Sequence, residues 1–228
     1  IMRKTLFTAS ALALALAAPF AQAFEAGDII VRAGAVTVDP REDSSDINHA
    51  LLGDIGGTKA TLNSDTQLGL NFAYMMTDKV GIELLAATPF SHDVGVKGMP
   101  AGFEQLNGKL GSLKHLPPTL SVIYYPLDSK SAFQPYVGAG INYTWFFDTK
   151  LSSEAEGKQF SGLDMKDSWG LAAQVGMDYM LTDNIMLNAQ VRYIDIETTG
   201  TTYLAGDKVK VDVDVDPFVY MVGLGYKF

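Results

Sequence analysis

The sequence predicts an all-β fold: an eight-stranded antiparallel transmembrane β-barrel with long extracellular loops and short periplasmic turns. Three observations predict it. Apolar and polar residues alternate with period two along eight segments. The connections between those segments are alternately short and long, as in barrels with tight turns at one end and loops at the other. The N-terminus reads as an export signal, yet no later run approaches the roughly eighteen consecutive apolar residues of a spanning helix.

The leader comes first. Arg3 and Lys4 form a short positive region, residues 6–18 (LFTASALALALAA) an apolar one, and residues 21–23 (AQA) a small-residue cleavage site. We expect cleavage after Ala23, a signal peptide over 1–23 and a single barrel domain over 24–228. The 228-residue chain has no Cys, which excludes disulfides, thiolate metal sites and Cys nucleophiles. Its formal charge is −9, and losing Arg3 and Lys4 takes it to −11. Such a chain lacks the basic footprint that nucleic-acid binding requires, so no nucleic-acid partner is expected.

The predicted strands run over about 27–39, 60–76, 79–90, 113–126, 133–148, 163–181, 184–198 and 208–228. Along 61–75, Thr66, Leu68, Leu70, Phe72 and Tyr74 share one face, opposite Gln67, Gly69, Asn71 and Ala73. Along 136–148, Val137, Ala139, Ile141, Tyr143, Trp145 and Phe147 oppose Gly138, Gly140, Asn142 and Thr144. Along 184–197 the alternation breaks phase, which predicts a bulge near Ile194. The connections 76–79, 126–132 and 181–184 are short and rich in Asp, Asn and Ser. Those near 39–60, 90–113, 148–163 and 198–208 are longer and read as loops.

Even strand number, alternating connection lengths and export without a spanning helix form the pattern of a bacterial outer-membrane barrel. Tyr74, Tyr124, Tyr125, Tyr136, Trp145, Phe146, Phe147, Tyr179, Tyr226 and Phe228 fall near strand ends and suit an interfacial girdle. A soluble barrel of the lipocalin kind has the same parity with its faces exchanged. Large residues on one face, small or polar ones on the other, and few charges within the spans favour the membrane.

Several stretches carry a resemblance. GIELLAATPF (81–90), KHLPPTL (114–120), QPYVGAGINYTWFFD (134–148), MKDSWG (165–170) and VDPFVYMVGLGYKF (215–228) resemble the OmpW family of outer-membrane proteins, nearest its OprG-like branch. The resemblance covers the mature chain in order. It implies a narrow, largely hydrophobic lumen that passes small, mostly apolar molecules inward, with lateral exit through the wall into the bilayer. It also implies that Leu85 matches a lumen leucine of the family's constriction. Where some members place Trp in the seventh strand this chain has Arg192, a departure that bears on the polarity of that constriction.

The lateral gap has a reading in the residues themselves. Pro89 ends the third predicted strand, and Pro117 and Pro118 interrupt the start of the fourth. Proline donates no N–H and is kept out of paired strands, so this part of the ladder is expected to stay open. A simpler reading makes the prolines strand ends in a solvated loop base. By parity the lumen receives Arg32, Gln67, Asn71, Glu83, Leu85, Thr119, Ser121, Gly138, Gly140, Asn142, Gln174, Asp178, Asn188, Gln190 and Arg192. Arg32, Glu83, Asp178 and Arg192 are expected to pair as a plug at the periplasmic end. An eight-stranded barrel encloses side chains or one small ligand, not a wide pore.

Little suggests catalysis. Ser91, His92 and Asp93 are adjacent, but neighbours on an extended chain point to opposite faces, so no nucleophile–base pair is expected. His49, His92 and His115 lack a recognisable zinc spacing, and no cofactor is expected. Residues 39–46 (DPREDSSD) and Asp212, Asp214 and Asp216 read as external carboxylates, solvated or bridged to lipopolysaccharide by divalent ions. The expected partners are outer-membrane lipid, lipopolysaccharide, small hydrophobic or weakly polar solutes, and the barrel-assembly machinery through Phe228.

Residues 211–228 (VDVDVDPFVYMVGLGYKF) change character midway. Phe218, Tyr220, Val222, Leu224, Tyr226 and Phe228 share one parity, Val211, Val213 and Val215 the other. This predicts a bulge or break at Asp216-Pro217 where the last strand leaves the bilayer, with a slip of register between its halves. Two functional readings stand: a channel for small hydrophobic or weakly polar solutes, and a structural or recognition barrel whose loops bind lipopolysaccharide, host or phage. A lipid-modifying enzyme is a third.

Overall fold

A computed structural model describes residues 23–228, so all of the expected leader except Ala23 lies outside the described residues. In chain order the strands are β1 (Ile29–Asp39), β2 (Asp43–Ser44), β3 (Ile47–His49), β4 (Gly53–Ile55), β5 (Lys59–Leu62), β6 (Asp65–Met75), β7 (Val80–Ala87), β8 (Phe90–Lys97) and β9 (Gly108–Leu116). There follow β10 (Thr119–Tyr124), β11 (Phe133–Leu151), a one-turn helix α1 (Ser153–Gly157), β12 (Phe160–Met165), β13 (Ser168–Met180), β14 (Ile185–Ile194), β15 (Glu197–Leu204), β16 (Asp207–Asp214) and β17 (Phe218–Lys227).

Eight of these close the barrel, in the order β10-β7-β6-β1-β17-β14-β13-β11, with β11 returning to β10. All eight contacts are antiparallel, including the β1–β17 seam that joins the chain's two ends. Closure pairs every barrel strand on both sides, as hydrocarbon requires, where unpaired backbone groups cost several kcal/mol each. Leu70, Phe72, Leu84, Leu120, Val122, Ile141, Leu171, Leu187, Val222 and Leu224 face outward and exposed, the lipid surface that parity predicts. Among the described residues no helix is long and apolar enough to cross a membrane.

The four long connections carry strands of their own. They continue the barrel outward as two sheets, one formed by β5, β8, β9 and the outer half of β11, the other by β12, β15, β16, β3 and β4 with β2 at its side. The long outer connections are thus present as expected, and much of their length is itself strand-paired. Residues 90–94 alternate strictly, with Phe90, His92 and Val94 buried, and the chain resumes pairing beyond Pro89. The predicted bulge near Ile194 is instead a gap between β14 and β15. There Asp195 donates its N–H to Leu171 O at 2.9 Å, and Asp216 Oδ1 receives Ile196 N–H at 3.1 Å.

The last strand does break where expected. β16 ends at Asp214, β17 begins at Phe218, and Asp216 sits at φ 37°. The expected slip of register is absent. Val213, Val215, Pro217, Val219 and Met221 are all buried, so odd-numbered residues point inward on both sides of the break. The outward face alone changes, from Asp212 and Asp214 in water to Tyr220 and Val222 in lipid. The valines face an apolar interior that continues beyond the membrane.

Candidate functional site

From the periplasmic end outward, the lumen is built in layers. The lowest is apolar: Phe24, Ile30, Met75, Ile123, Met180 and Met186 are buried together. Above it Arg32, wholly buried, grips Asp178 with two donors, Nε to Oδ1 at 3.0 Å and Nη2 to Oδ2 at 2.6 Å. Its remaining donors reach Asn71 at 2.8 Å, Tyr125 Oη at 2.7 Å and Glu83 at 3.5 Å. Arg192 Nη2 lies 2.5 Å from Glu83 Oε1 and also donates to Gln174. Tyr125 and Asn188 donate to Asp178 at 2.8 and 2.9 Å.

Two guanidiniums thus meet two carboxylates inside a closed wall. The count is neutral, and it has to be, because an unpaired charge at this depth would cost several kcal/mol. Arg192 Nη1 and Asn71 Nδ2 remain buried without a protein partner. The wall positions these groups by parity. Glu83 and Leu85 on β7 alternate with lipid-facing Ile82 and Leu84, and Gln174 and Asp178 with Val175 and Met177.

Two residues further out along β7, Leu85 joins a packed apolar layer with Phe90, Leu113, Phe146, Ile194 and Met221. Above that layer, between the two outer sheets, opens a cavity of about 450 Å³. Ile47, Leu62, Val94, Phe103, Leu163 and Val213 are among its walls, which are almost wholly apolar.

The prolines sit where the barrel wall changes construction. The β7–β10 ladder ends at Leu85↔Thr119, and the β8–β9 ladder begins at Phe90↔His115. Among the described residues no ladder pair joins 86–89 to 116–118. The carbonyls freed by this break are answered by protein. Pro118 O accepts from Asn142 Nδ2 at 3.1 Å and Tyr143 N at 3.2 Å, and Pro117 O from Thr119 Oγ1 at 3.1 Å. On the other lip Thr88 donates its N–H to Leu68 O at 3.0 Å and its hydroxyl to Gln67 Oε1 at 3.0 Å. The discontinuity is therefore a satisfied structure rather than a frayed edge.

The predicted lumen residues divide accordingly. Arg32, Glu83, Gln190 and Arg192 come together with Asn71, Gln174, Asp178 and Asn188 in the charged layer. Leu85 lies directly above it, and Asn142 stands at the gap. Gln67 belongs to the outer rim, bonded to Asp65 and Thr88. Tyr125, Tyr136 and Phe146 are corrected from the girdle to the lumen, where all three are buried. The parity that put Ser121 and Asn142 inside also puts them there; grouping residues by aromatic character hid it. Ser91 and Asp93 face out while His92 faces in, which separates that triplet. His92 is a strand residue, not a loop residue, and its ring stacks on His115 at 4.7 Å and 9°. Burial pushes both imidazoles below their ordinary pKa, His115 to about 3. Among the described residues no group of three or more potential ligands could hold a metal ion.

These features have relatives. A model of the OmpW family matches residues 25–228. Outer membrane protein W of Vibrio cholerae serotype O1 is 44% identical over 227 residues, covering 100% of both chains. The crystal structure of the outer membrane protein OprG from Pseudomonas aeruginosa superposes with a TM-score of 0.85 at 52% identity, covering 91% of this chain and 98% of that one. A more distant relative, the dibenzothiophene metabolism operon protein PahQ of Pseudomonas aeruginosa, is 25% identical over 174 residues, 76% of this chain and 77% of its own. The chain belongs to the OmpW family and is a β-barrel of the outer membrane.

Proposed function

We propose that the protein takes up small hydrophobic or weakly polar solutes from outside and releases them sideways into the bilayer. One observation carries this reading: an apolar cavity opens outward above a charged layer that blocks the axis, beside a break in the barrel wall. A solute desolvated in the cavity finds the way down closed by Arg32, Glu83, Asp178 and Arg192. The interrupted wall between Ala86–Pro89 and Leu116–Pro118 offers an exit where no ladder bond has to break. The relative named for a dibenzothiophene metabolism operon associates this family with an apolar aromatic compound. Phe228 is the proposed recognition element for barrel assembly.

The packed layer around Leu85 stands between cavity and gap, so transport requires its side chains to part. That layer favours a second reading, a structural or recognition barrel without flux. Uptake by proteoliposomes of a solute series graded from alkanes to short alcohols separates the two. Wild type should accelerate the apolar members over protein-free vesicles. Leu85→Trp should overfill the layer and Pro89→Ala should let the ladder close, each returning uptake to the protein-free level with the barrel folded. Wild-type uptake at that level selects the non-conducting reading. Undiminished uptake by folded Pro89→Ala rejects exit at this site.

A further inference from the structure

The two outer sheets are opposite in charge. On the sheet of β12, β15, β16 and β2 the outward face carries Asp43, Asp164, Glu197, Asp212 and Asp214 against Lys208 and Lys210. On the sheet of β5, β8, β9 and outer β11 it carries Lys97, Lys109, Lys114 and Lys150 against Asp93 and Asp148. An acidic chain thus presents one confined basic face.

That face is organised. A register shift between Phe147 and Lys150 bulges β11 and leaves Asp148 at φ 49°. Its carboxylate then lies between two ammoniums, 2.9 Å from Lys114 Nζ and 2.9 Å from Lys150 Nζ. Asp93 holds Lys109 at 2.7 Å. Each ammonium has three donors, so these contacts leave others pointing to solvent.

Its height in the membrane is fixed by aromatics. Trp145 is half-exposed, packs against Phe147 with ring centroids 4.8 Å apart and tilted by 34°, and pairs across the ladder with Leu116. Exposed Trp marks the level of the head groups. Lys114 is two residues beyond Leu116, about 7 Å further along the strand, and lies opposite Phe147.

We propose that this face binds the phosphate groups of lipid A in the outer leaflet. Lys114 and Lys150 clamp one phosphate, Lys109 and Lys97 extend the positive surface outward, and the Trp145–Phe147 pair packs against an acyl chain. Asp148, bonded to both through its two oxygens, holds the ammoniums side by side on this face.

The test uses full-length protein in neutral detergent, titrated with bisphosphorylated lipid A, its dephosphorylated form and phosphatidylglycerol. Wild type should prefer bisphosphorylated lipid A over both others. Lys114→Gln with Lys150→Gln should weaken that binding by at least about tenfold, as expected for two cations near an anionic lipid surface. Lys208→Gln with Lys210→Gln, on the acidic sheet, should leave it unchanged. Heat-modifiable electrophoretic mobility shows that each variant is folded. The proposal is overturned if the Lys114/Lys150 variant binds like wild type, if dephosphorylated lipid A binds equally well, or if phosphatidylglycerol does.

Discussion

Glu83 bonds both arginines of the lumen, and it is wholly buried. Removing one member of a buried charge network leaves the others uncompensated. Glu83→Gln should therefore destabilise the barrel by about 3–5 kcal/mol. Replacing Glu83 and Arg192 together by Met removes a matched pair and should cost much less than the sum of the single changes. Urea denaturation in micelles, arranged as a double-mutant cycle, measures both. Equal, additive losses would refute the coupling. The stacked imidazoles behave differently, because their burial favours the neutral form. His115 has a folded pKa of about 3, below the ordinary 6.5, and His92 is shifted the same way. Above pH 6.5 folded and unfolded forms are both neutral and nothing is lost. Below it the unfolded ring binds a proton that the folded ring refuses, so stability falls as pH drops from about 6.5 toward 3. Asp65 on β6 and Asp93 on β8 draw His92 the other way and moderate the fall. Protection factors of the β8 and β9 amides, taken against the intrinsic exchange rate at each pH, should fall between pH 7.5 and 4.5, and His115→Phe should flatten that dependence.

Elements were legible where one face met lipid and the other met small or polar groups. β6, β13 and β17 followed from alternation, and Pro89 and Pro117–Pro118 from the donor that proline lacks. The outer sheets were only partly legible, since β2 to β5 are very short and β8, β9 and β15 carry Gly and polar residues and resemble loops in composition. In β16 the valines point into an apolar cavity and the carboxylates into water, so alternation there was real but its inside was misread. The charged layer was read from parity, and the His92–His115 stack was missed because it forms between strands 23 residues apart in sequence. The cavity-facing role of β16 makes its own prediction. Val213 is buried opposite Ser44, at the wall of the cavity. Val213→Asp should place a carboxylate there and destabilise the outer sheet by at least about 2 kcal/mol. Limited proteolysis should then cut within 197–214 while the barrel keeps its folded mobility. Protection equal to wild type would show that β16 does not depend on this burial.

The whole molecule is a cup closed at its periplasmic end by two layers of opposite character. On an axial path ions and water would meet the apolar layer of Ile30, Ile123 and Met186, and apolar solutes the charged layer above it. Neither kind of solute crosses both layers without a desolvation cost, which is why the proposed route for an apolar solute runs through the wall. Thinning the floor distinguishes this from axial passage. Ile123→Ala with Met186→Ala opens space below the charged layer, at about 2–5 kcal/mol of stability per truncation. Folded barrels carrying both changes should raise ion conductance across planar bilayers little, because the guanidinium–carboxylate layer still fills the lumen. Their uptake of apolar solutes should match wild type, since a solute leaving between β7 and β10 never meets the floor. Faster apolar uptake by this variant would mean that solutes travel along the axis, and would move the rate-limiting barrier from Leu85 to the periplasmic layer.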